Sequence, residues 1–284
     1  MGLYDQHVHS LYSHDSSAEP AECARRAVSE GLSGLTFTEH YDTHPDEAAH
    51  CEYDDERVSL AVRDLAGRFG GSLFIGKGIE IDYQPATLPQ IVDFLEGHRF
   101  DLVLLGVHYA RGEPVFDPRV WETNDPGTVT RRYLQTVLEA VEACAKLKRG
   151  RAPAFDVLAH LDFVKRYSLQ FTDSDHIEEN RELLDEILYG CLNAGLTLEL
   201  NTSNLRKGHS EGMPGSSILR RWAELGGETV ALGSDSHRAD EVGSGLRRAA
   251  KMLLQAGIRQ QAVFEKRRCR AEPLAEPPAG RKGQ

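Results

Sequence analysis

The sequence predicts an α/β fold in which parallel strands, each followed by a helix, form an irregular barrel. Short apolar segments alternate with longer helical patterns about seven times along the chain. The apolar segments lack the polar alternation of strands that expose one face to water, so both faces of each strand should be covered. Repeated strand–helix units favour a parallel sheet with right-handed crossovers. Seven such units indicate an irregular barrel rather than a regular eightfold one.

The predicted strands are short and rich in Val, Leu, Ile and Phe. In chain order they span residues 2–9, 34–38, 72–76, 102–106, 155–159, 197–200 and 229–232. The predicted helices show apolar residues at spacings of three and four, and several end before a glycine. They span residues 20–30, 56–69, 128–148, 176–193, 215–224 and 245–255, with a short terminal helix at 259–268.

Length and composition favour one domain, at residues 1–270. With 284 residues, 40% of them hydrophobic, the chain can bury one substantial core. Residues 110–126 are rich in proline and directly follow His108, so we expect them to form a loop over the rim of the barrel. Residues 271–284 are rich in Pro, Gly and charged residues, which predicts a disordered tail.

Charge and hydropathy exclude several classes of partner. The net charge is -11, whereas a nucleic-acid groove needs a basic surface that displaces counterions. No stretch approaches the roughly 20 apolar residues that span a bilayer, and no secretory signal is visible. The five cysteines are far apart and form no CxxC pair, which argues against a disulfide framework. We therefore expect a cytoplasmic protein that binds neither nucleic acid nor membranes; its oligomeric state is not indicated.

Nine metal-binding side chains lie at or near the ends of the predicted strands. Six of the twelve histidines are among them, and the set comprises His7, His9, Asp15, His40, Glu80, His108, His160, Asp235 and His237. Sites in parallel barrels are assembled at the C-terminal ends of the strands, so these groups would meet at one rim. His-x-His on a strand places both imidazoles on the same side. Mixed imidazole and carboxylate ligands suit Zn, Fe or Mn, and the pattern predicts a multinuclear metal site.

The segments that carry these residues are DQHVHSLYSHDSS, LTFTEHYD, GIEIDY, LLGVHY, LAHLDFVKR, LELNTSNLRKG and LGSDSH. In this order they resemble the polymerase and histidinol phosphatase (PHP) superfamily. LELNTSNLRKG, followed shortly by MP, resembles the histidinol-phosphate phosphatase branch rather than the polymerase-associated domains. The resemblance runs from residue 5 to residue 237.

This resemblance implies a distorted (β/α)7 barrel that holds three divalent metal ions at its C-terminal rim. The implied ligands are His7, His9, Glu80 and Asp235 for the first ion, Glu80, His108 and His160 for the second, and Asp15, His40 and His237 for the third. Glu80 would bridge the first two ions. His14 is adjacent to Asp15 and either could reach the third ion, although the spacing from His9 fits Asp15 better. The sequence does not choose among Zn, Fe and Mn.

Cations near the predicted rim are candidates for binding phosphate. Arg166 lies six residues after His160, and Arg206 and Lys207 follow the strand that ends near Asn201. A guanidinium can bind phosphate through two parallel hydrogen bonds. Ser203 and Asn201 could donate hydrogen bonds to the same oxygens. The three cations could equally decorate a solvated loop.

The activity that the resemblance implies is hydrolysis of L-histidinol phosphate to L-histidinol and phosphate, in histidine biosynthesis. A hydroxide shared by two metal ions would attack phosphorus directly, and cations would neutralise the equatorial oxygens. The residues assigned to catalysis are Glu80, Asp235, Arg166 and Arg206. An acidic, aromatic pocket near Glu39, Asp42, Tyr83 and Tyr109 would suit the ammonium and imidazole groups of this substrate. Glu39 and Asp42 flank His40 and could instead orient it or solubilise its loop, and packing explains Tyr83 as well.

Three alternatives fit parts of the pattern. A phosphoesterase of the same fold could act on a nucleotide, a sugar phosphate or phosphotyrosine. An amidohydrolase-type enzyme would favour a carbamylated lysine at a strand end, and none stands out in the sequence. A non-catalytic barrel is disfavoured because all nine candidate ligands are retained.

Overall fold

A mostly parallel sheet forms the centre of the computed structural model, which describes residues 2–147 and 154–274. The strands are β1 (Tyr4–Val8), β2 (Gly34–Tyr41), β3 (Phe74–Asp82), β4 (Leu102–Gly106), β5 (Tyr109–Ala110), β6 (Glu113–Pro114), β7 (Val157–Leu158), β8 (Thr197–Asn201), β9 (Thr229–Gly233), β10 (Gln260–Glu265) and β11 (Arg268–Pro273). Nine of them form one sheet in the order β1-β2-β3-β4-β7-β8-β9-β10-β11, and β5 and β6 form a separate hairpin. Within the nine-stranded sheet, neighbouring strands from β1 to β10 pair in parallel, and the one antiparallel pair is β10 with β11.

The first strand lies beside the far end of the sheet. The backbone N–H of His9 donates to the carbonyl of Ser236 at 2.9 Å, and that of Asp235 donates to the carbonyl of His7 at 2.8 Å. The side-chain amide of Gln6 binds the backbone of β10, donating to Ala262 at 2.6 Å and accepting from Phe264 at 2.9 Å. The C-terminal ends of the first and last parallel strands are thus brought to the same place.

Helices cover the outside of the sheet. They are α1 (Pro20–Ser29), α2 (Pro45–Ala48), α3 (Asp55–Phe69), α4 (Leu88–Gly97), α5 (Pro118–Thr123), α6 (Pro126–Leu147), α7 (Lys165–Phe171), α8 (Arg181–Ala194), α9 (Ser203–Arg206), α10 (Ser216–Glu224) and α11 (Leu246–Gln255). Asp54 caps α3 by accepting from the N–H of Arg57, and α8 ends at Gly195 with φ 76°. Strand side chains such as Ile79 and Leu198 are fully buried, and each contributes roughly 1.5–3 kcal/mol. Among the described residues, no helix combines the length and apolar character needed to cross a membrane.

The predicted parallel α/β arrangement is confirmed, and all seven predicted strands are present. The largest difference in length is in β3, which we expected to end at residue 76 but which continues to Asp82. Lys77 made the segment look like a strand end, since a charged side chain interrupts the apolar run. Its ammonium group is instead satisfied on the surface of the sheet by Asp55 at 2.7 Å and Ser59 at 2.9 Å, both on α3.

The terminal helix predicted at 259–268 is wrong, because these residues belong to the hairpin of β10 and β11. Lys266 and Arg267 turn the chain with φ values of 50° and 62°. Residues 271–273, which we assigned to the disordered tail, complete β11 because Pro273 pairs with Gln260 at the sheet edge, where a missing N–H is tolerated. Leu274 also belongs to that predicted tail, but it is buried and its N–H donates to the carbonyl of Arg259 at 2.9 Å. Residues 275–284 of the tail lie outside the described residues.

Residues 110–126, which we expected to form a loop, contain secondary structure of their own. They contain β6 and α5, and the N–H of Val115 donates to the carbonyl of His108 at 3.1 Å. The indole of Trp121 is buried and donates to the carbonyl of Val115 at 2.8 Å. This segment is therefore folded and packs against the backbone of His108, which follows β4.

Candidate metal centre

All nine predicted ligands lie at the C-terminal ends of the parallel strands. His7, His40 and Glu80 are within β1, β2 and β3, and the other six follow β1, β4, β7 and β9. A cavity of about 430 Å³ opens above them. Seven of the nine line this cavity, namely Asp15, His40, Glu80, His108, His160, Asp235 and His237, while His7 and His9 are completely buried beneath it.

Four of these side chains converge as a first group. The Nε2 atom of His7 lies 3.0 Å from Nε2 of His9 and 3.1 Å from Oε2 of Glu80. Oδ1 of Asp235 lies 3.6 Å from the His9 nitrogen and 3.8 Å from the His7 nitrogen. Ligand atoms about 2.0–2.2 Å from one ion are separated by roughly 3–3.6 Å in tetrahedral or octahedral geometry. Three of these four separations fall in that range, and the fourth, between His7 and Asp235 at 3.8 Å, is slightly longer, so the four atoms are close to the spacing of ligands of a common cation.

Glu80 connects this group to a second one. Its Oε2 atom faces His7 and His9, whereas its Oε1 atom lies 2.8 Å from Nε2 of His160 and 3.8 Å from Nε2 of His108. One carboxylate oxygen thus points to each group, which is the arrangement that a bridging carboxylate requires. Gly106 leaves room for this carboxylate, because a Cβ atom there would lie 3.1 Å from Oε1.

A third group lies nearer the cavity opening. Oδ2 of Asp15 is 3.0 Å from Nε2 of His237 and 3.6 Å from Nε2 of His40. His14, the alternative to Asp15, also lines the cavity, but its Nε2 atom lies 3.5 Å from Oε2 of Glu47, and the two ring centres of His14 and His40 are 5.6 Å apart. Potential ligand atoms of His14, Asp42 and Cys51 also lie within 4.8 Å of one another. The geometry of the third group thus favours Asp15 over His14.

Glu199, which the sequence did not single out, orients two of the predicted ligands. It accepts from Nδ1 of His7 at 2.7 Å and from the backbone N–H of His160 at 3.0 Å. A lone carboxylate inside the apolar strand TLELN is the signal that could have revealed it, since a buried carboxylate needs partners. Partners of this kind fix the tautomer and orientation of a ligating imidazole.

A second orienting network involves Glu39. This buried carboxylate accepts from the hydroxyls of Ser10 at 2.5 Å and Ser13 at 2.6 Å. The Ser13 oxygen lies 3.2 Å from Nδ1 of His9 and accepts from the N–H of His40 at 3.1 Å. Glu39 therefore orients His9 and the backbone of His40 through Ser13, which agrees with the orienting role that the sequence allowed. It is not among the residues that line the cavity, where the substrate was also expected to meet it.

The clustered carboxylates and imidazoles shift one another's pKa: neighbouring carboxylates raise the pKa of His7, His40 and His237 despite burial, as positive charge is favoured at this place. Burial alone would raise the pKa of Glu80, but His7 and His160 hold it well below its usual range. Burial and neighbouring charged groups lower the pKa of His108 to about 3, so that imidazole is neutral, as a ligand must be. The Nδ1 atoms of His40 and His160 are buried without hydrogen-bond partners among the described residues. This donor set fits divalent ions such as Zn.

Two ligands have strained backbones. His160 and Asp235 have φ values of 27° and 52°, in the left-handed region that non-glycine residues rarely adopt. Such conformations cost on the order of 1–3 kcal/mol each and cluster at functional sites. These two strained conformations lower the stability of the fold, and they direct both side chains toward the cavity.

The predicted phosphate-binding cations separate into two kinds. Arg166 and Lys207 line the cavity. Arg166 is buried, donates to Oδ1 of Asn204 at 2.8 Å and to the hydroxyl of Ser203, and lies 4.0 Å from Asp235. Arg206 is turned to the backbone, where it donates to the carbonyls of Ser234 at 2.9 Å and Asp235 at 3.0 Å.

Asn201 and Ser203 also serve local structure. Oδ1 of Asn201 accepts from the N–H of Ser203 at 3.0 Å and from its hydroxyl at 2.6 Å. The amide of Asn201 donates to Glu199 at 3.3 Å. Ser203 therefore joins Arg166, Asn201 and Asp235, whereas Asn201 is fully buried beneath the site.

Comparison with known proteins points to one family. The family model described as the PHP domain matches residues 5–203. The histidinol-phosphatase of Lactococcus lactis subsp. lactis is 29% identical, over 93% of this chain and 95% of that protein. The probable histidinol-phosphatase of Clostridium acetobutylicum is 27% identical, over 93% and 98%. A crystal structure of the Lactococcus lactis histidinol phosphate phosphatase, complexed with zinc, L-histidinol and phosphate, has a TM-score of 0.83 at 26% identity and covers 95% of this chain and 99% of that one.

Proposed function

This chain belongs to the PHP domain family, and from that premise we propose that it is a phosphatase hydrolysing L-histidinol phosphate to L-histidinol and phosphate. The observation that carries the proposal is the cavity whose floor holds the imidazole and carboxylate groups and whose side holds Arg166 and Lys207. Similarity to histidinol-phosphatases over more than nine-tenths of the chain supports this substrate. So does the bound L-histidinol and phosphate in the Lactococcus lactis structure.

We propose that the nine converging side chains hold divalent ions. The first ion would be held by His7, His9, Glu80 and Asp235. The second would be held by Glu80, His108 and His160, and the third by Asp15, His40 and His237. Ions bound there would neutralise phosphate charge and lower the pKa of bound water. Zinc in the Lactococcus lactis structure supports this donor set. The count of three ions, their identity and the cytoplasmic location stay predictions.

Arg166 is the residue we propose to bind the phosphate group. Its guanidinium is held by Asn204 and Ser203 before any substrate arrives, so little side-chain freedom is lost on binding. A donor fixed in this way stabilises charge on phosphate oxygens without rearranging during the reaction. Lys207 lies on the same side of the cavity, and burial together with Arg166 lowers its pKa.

Arg206 acts on the site through the backbone in this proposal, rather than by touching substrate. It holds the carbonyls of Ser234 and Asp235 and pairs with Glu241 at 3.3 Å. These contacts fix the strained turn that carries Asp235. The catalytic role predicted for Arg206 is thereby replaced by a positioning role.

A substrate panel tests the proposed function. Phosphate release should be measured from L-histidinol phosphate, nucleoside monophosphates, sugar phosphates and a phosphotyrosine peptide. We expect kcat/KM for L-histidinol phosphate to exceed the others by at least about 100-fold, because its ammonium and imidazole groups can be bound by the cavity in addition to its phosphate. A higher kcat/KM for any other ester in the panel would replace the proposed substrate with that one.

A further inference from the structure

The cavity has a second wall, built from segments that follow β2 and β4 rather than β7 and β8, which carry Arg166 and Lys207. Glu47 of α2, Tyr109 of β5 and Phe116 line it. The Tyr109 ring stacks on His44 at 3.9 Å between ring centres, and Phe116 meets its edge at 5.8 Å. The phenol oxygen of Tyr109 lies 3.5 Å from Oε1 of Glu47. This wall therefore combines one carboxylate with aromatic surface.

Glu47 is the most exposed acidic side chain of the cavity that the metal assignment leaves unused, and the contacts that its carboxylate makes with Tyr109 and His14 are long, both at 3.5 Å. Its side chain is 27% exposed, and the only basic side chain within 4.0 Å of it, across residues 2–147 and 154–274, is the His14 imidazole. Asp42 and Asp82 also line the cavity, but both are buried and engaged. Asp42 accepts the N–H of Asp82 at 3.4 Å, and Asp82 accepts the N–H of His108 at 2.8 Å and the amide of Gln84.

The two charged walls lie on separate parts of the rim. Glu47 follows β2, whereas Arg166 follows β7 and Lys207 follows β8. Two strands, β3 and β4, separate β2 from β7 in the sheet, and both carry metal-site residues at their ends. A ligand that spans the cavity therefore meets cations at one end and a carboxylate with aromatic rings at the other.

We propose that Glu47 is a specificity-determining residue that accepts a hydrogen bond from the ammonium group of the substrate, while Tyr109 and Phe116 flank its imidazole. The identity of that substrate rests on the proposed function. Of the residues predicted from the sequence for this wall, Tyr109 lies in it. Tyr83 is almost fully buried, and Glu39 is bound by the two serines described above.

The experiment compares two esters that differ only in the amino group: L-histidinol phosphate and 3-(imidazol-4-yl)propyl phosphate. The measured quantity is the ratio of their kcat/KM values. For Glu47→Gln we expect this ratio to fall roughly tenfold to a hundredfold, the range for losing a hydrogen bond between charged groups.

Asp46→Asn is the matched control, because Asp46 is on the same helix but has a side chain 75% exposed. The ratio for Asp46→Asn should equal that of the unchanged protein. The ratio for Glu47→Asp should lie between those of Glu47→Gln and the unchanged protein.

An unchanged ratio in Glu47→Gln would overturn the inference. Inhibition by L-histidinol, compared with 3-(imidazol-4-yl)propan-1-ol, checks the unchanged protein without any variant, and equal inhibition by the two alcohols would also overturn it. A second ester pair, phosphoethanolamine and ethyl phosphate, separates this inference from the proposed function. If L-histidinol phosphate is not hydrolysed but Glu47→Gln still abolishes a preference for phosphoethanolamine, the proposed substrate fails and the role of Glu47 stands.

Discussion

The Nδ1 atom of His7 lies 2.7 Å from Oε1 of Glu199, and the other oxygen of that carboxylate accepts the backbone N–H of His160. One side chain on β8 thus fixes a ligand on β1 and the turn that carries a ligand after β7. With its Nδ1 atom held, the His7 ring directs Nε2 toward Glu80 and His9. The geometry of the first two ligand groups therefore depends on a residue that faces neither substrate nor, by our assignment, metal.

Replacing Glu199 should weaken metal binding. Outer partners of ligating histidines contribute about 10- to 100-fold to metal affinity or activity. We expect Glu199→Ala to lose metal content and turnover in this range, and Glu199→Gln to lose less because its amide oxygen can still accept from His7. Elemental analysis and phosphate release measure the two effects. Glu228→Gln, an exposed carboxylate, is the control; full metal content in Glu199→Ala would reject the role.

Gly233 allows His7 and Glu199 to meet. A Cβ atom at this position would lie 2.1 Å from Oε1 of Glu199 and 2.4 Å from Cβ of His7, closer than real contacts. Gly233→Ala should therefore push the two apart and lower metal affinity as strongly as Glu199→Ala. Gly67→Ala is its control, since nothing lies within 4 Å of that position on α3, and it should be neutral or slightly stabilising. Metal titration of both variants decides whether this packing matters.

Substitutions of Arg166 and Arg206 should impair the enzyme in different ways. Arg166→Lys keeps the charge but loses the planar guanidinium, so we expect kcat/KM to fall about 100- to 1000-fold with normal metal content. Arg206→Ala removes the anchor of the Asp235 turn, so metal content should fall first. Steady-state kinetics and elemental analysis on the same samples separate the two cases. Normal metal content with a raised KM in Arg206→Ala would return that residue to the phosphate-binding group.

The buried ion pair of Asp162 and Lys165 should stabilise the chain beside Arg166. Nζ of Lys165 lies 2.7 Å from Asp162 and 2.9 Å from the carbonyl of Gly212. Lys165→Met leaves a buried carboxylate unpaired, which should lower the free energy of unfolding by about 3–5 kcal/mol. Adding Asp162→Asn should recover part of that loss. Chemical denaturation measures both, with Lys251→Met on exposed α11 surface as control; a loss no larger than the control's would contradict the assignment.

The strands, and the meeting of the nine predicted ligands at one end of the sheet, could be predicted because both depend on local pattern. A histidine directly after an apolar run, as at His108 and His160, is visible without knowing the fold, and parallel strands bring their ends together. The hairpin of β10 and β11 could not be predicted in the same way. Its strands are held by the long-range amide contact of Gln6 with Ala262 and Phe264, which no local pattern reveals.

The direction in which a side chain points also could not be predicted from the sequence. Arg166 and Arg206 both follow strand ends, but one lines the cavity and the other holds the backbone of Ser234 and Asp235. Glu39 and Glu199 are carboxylates in apolar strands, and only their partners distinguish them from substrate-binding residues. Each distinction depends on residues tens of positions away in the chain.

The most direct test of the account is phosphate release from L-histidinol phosphate before chelation, after chelation and after return of a divalent metal. We predict turnover that falls at least about 100-fold on chelation and recovers with Zn, Fe or Mn, as expected when ions lower the pKa of water. Recovery should need more than one ion per chain, because Glu80 faces two groups. Activity that survives complete removal of metal would contradict the central claim.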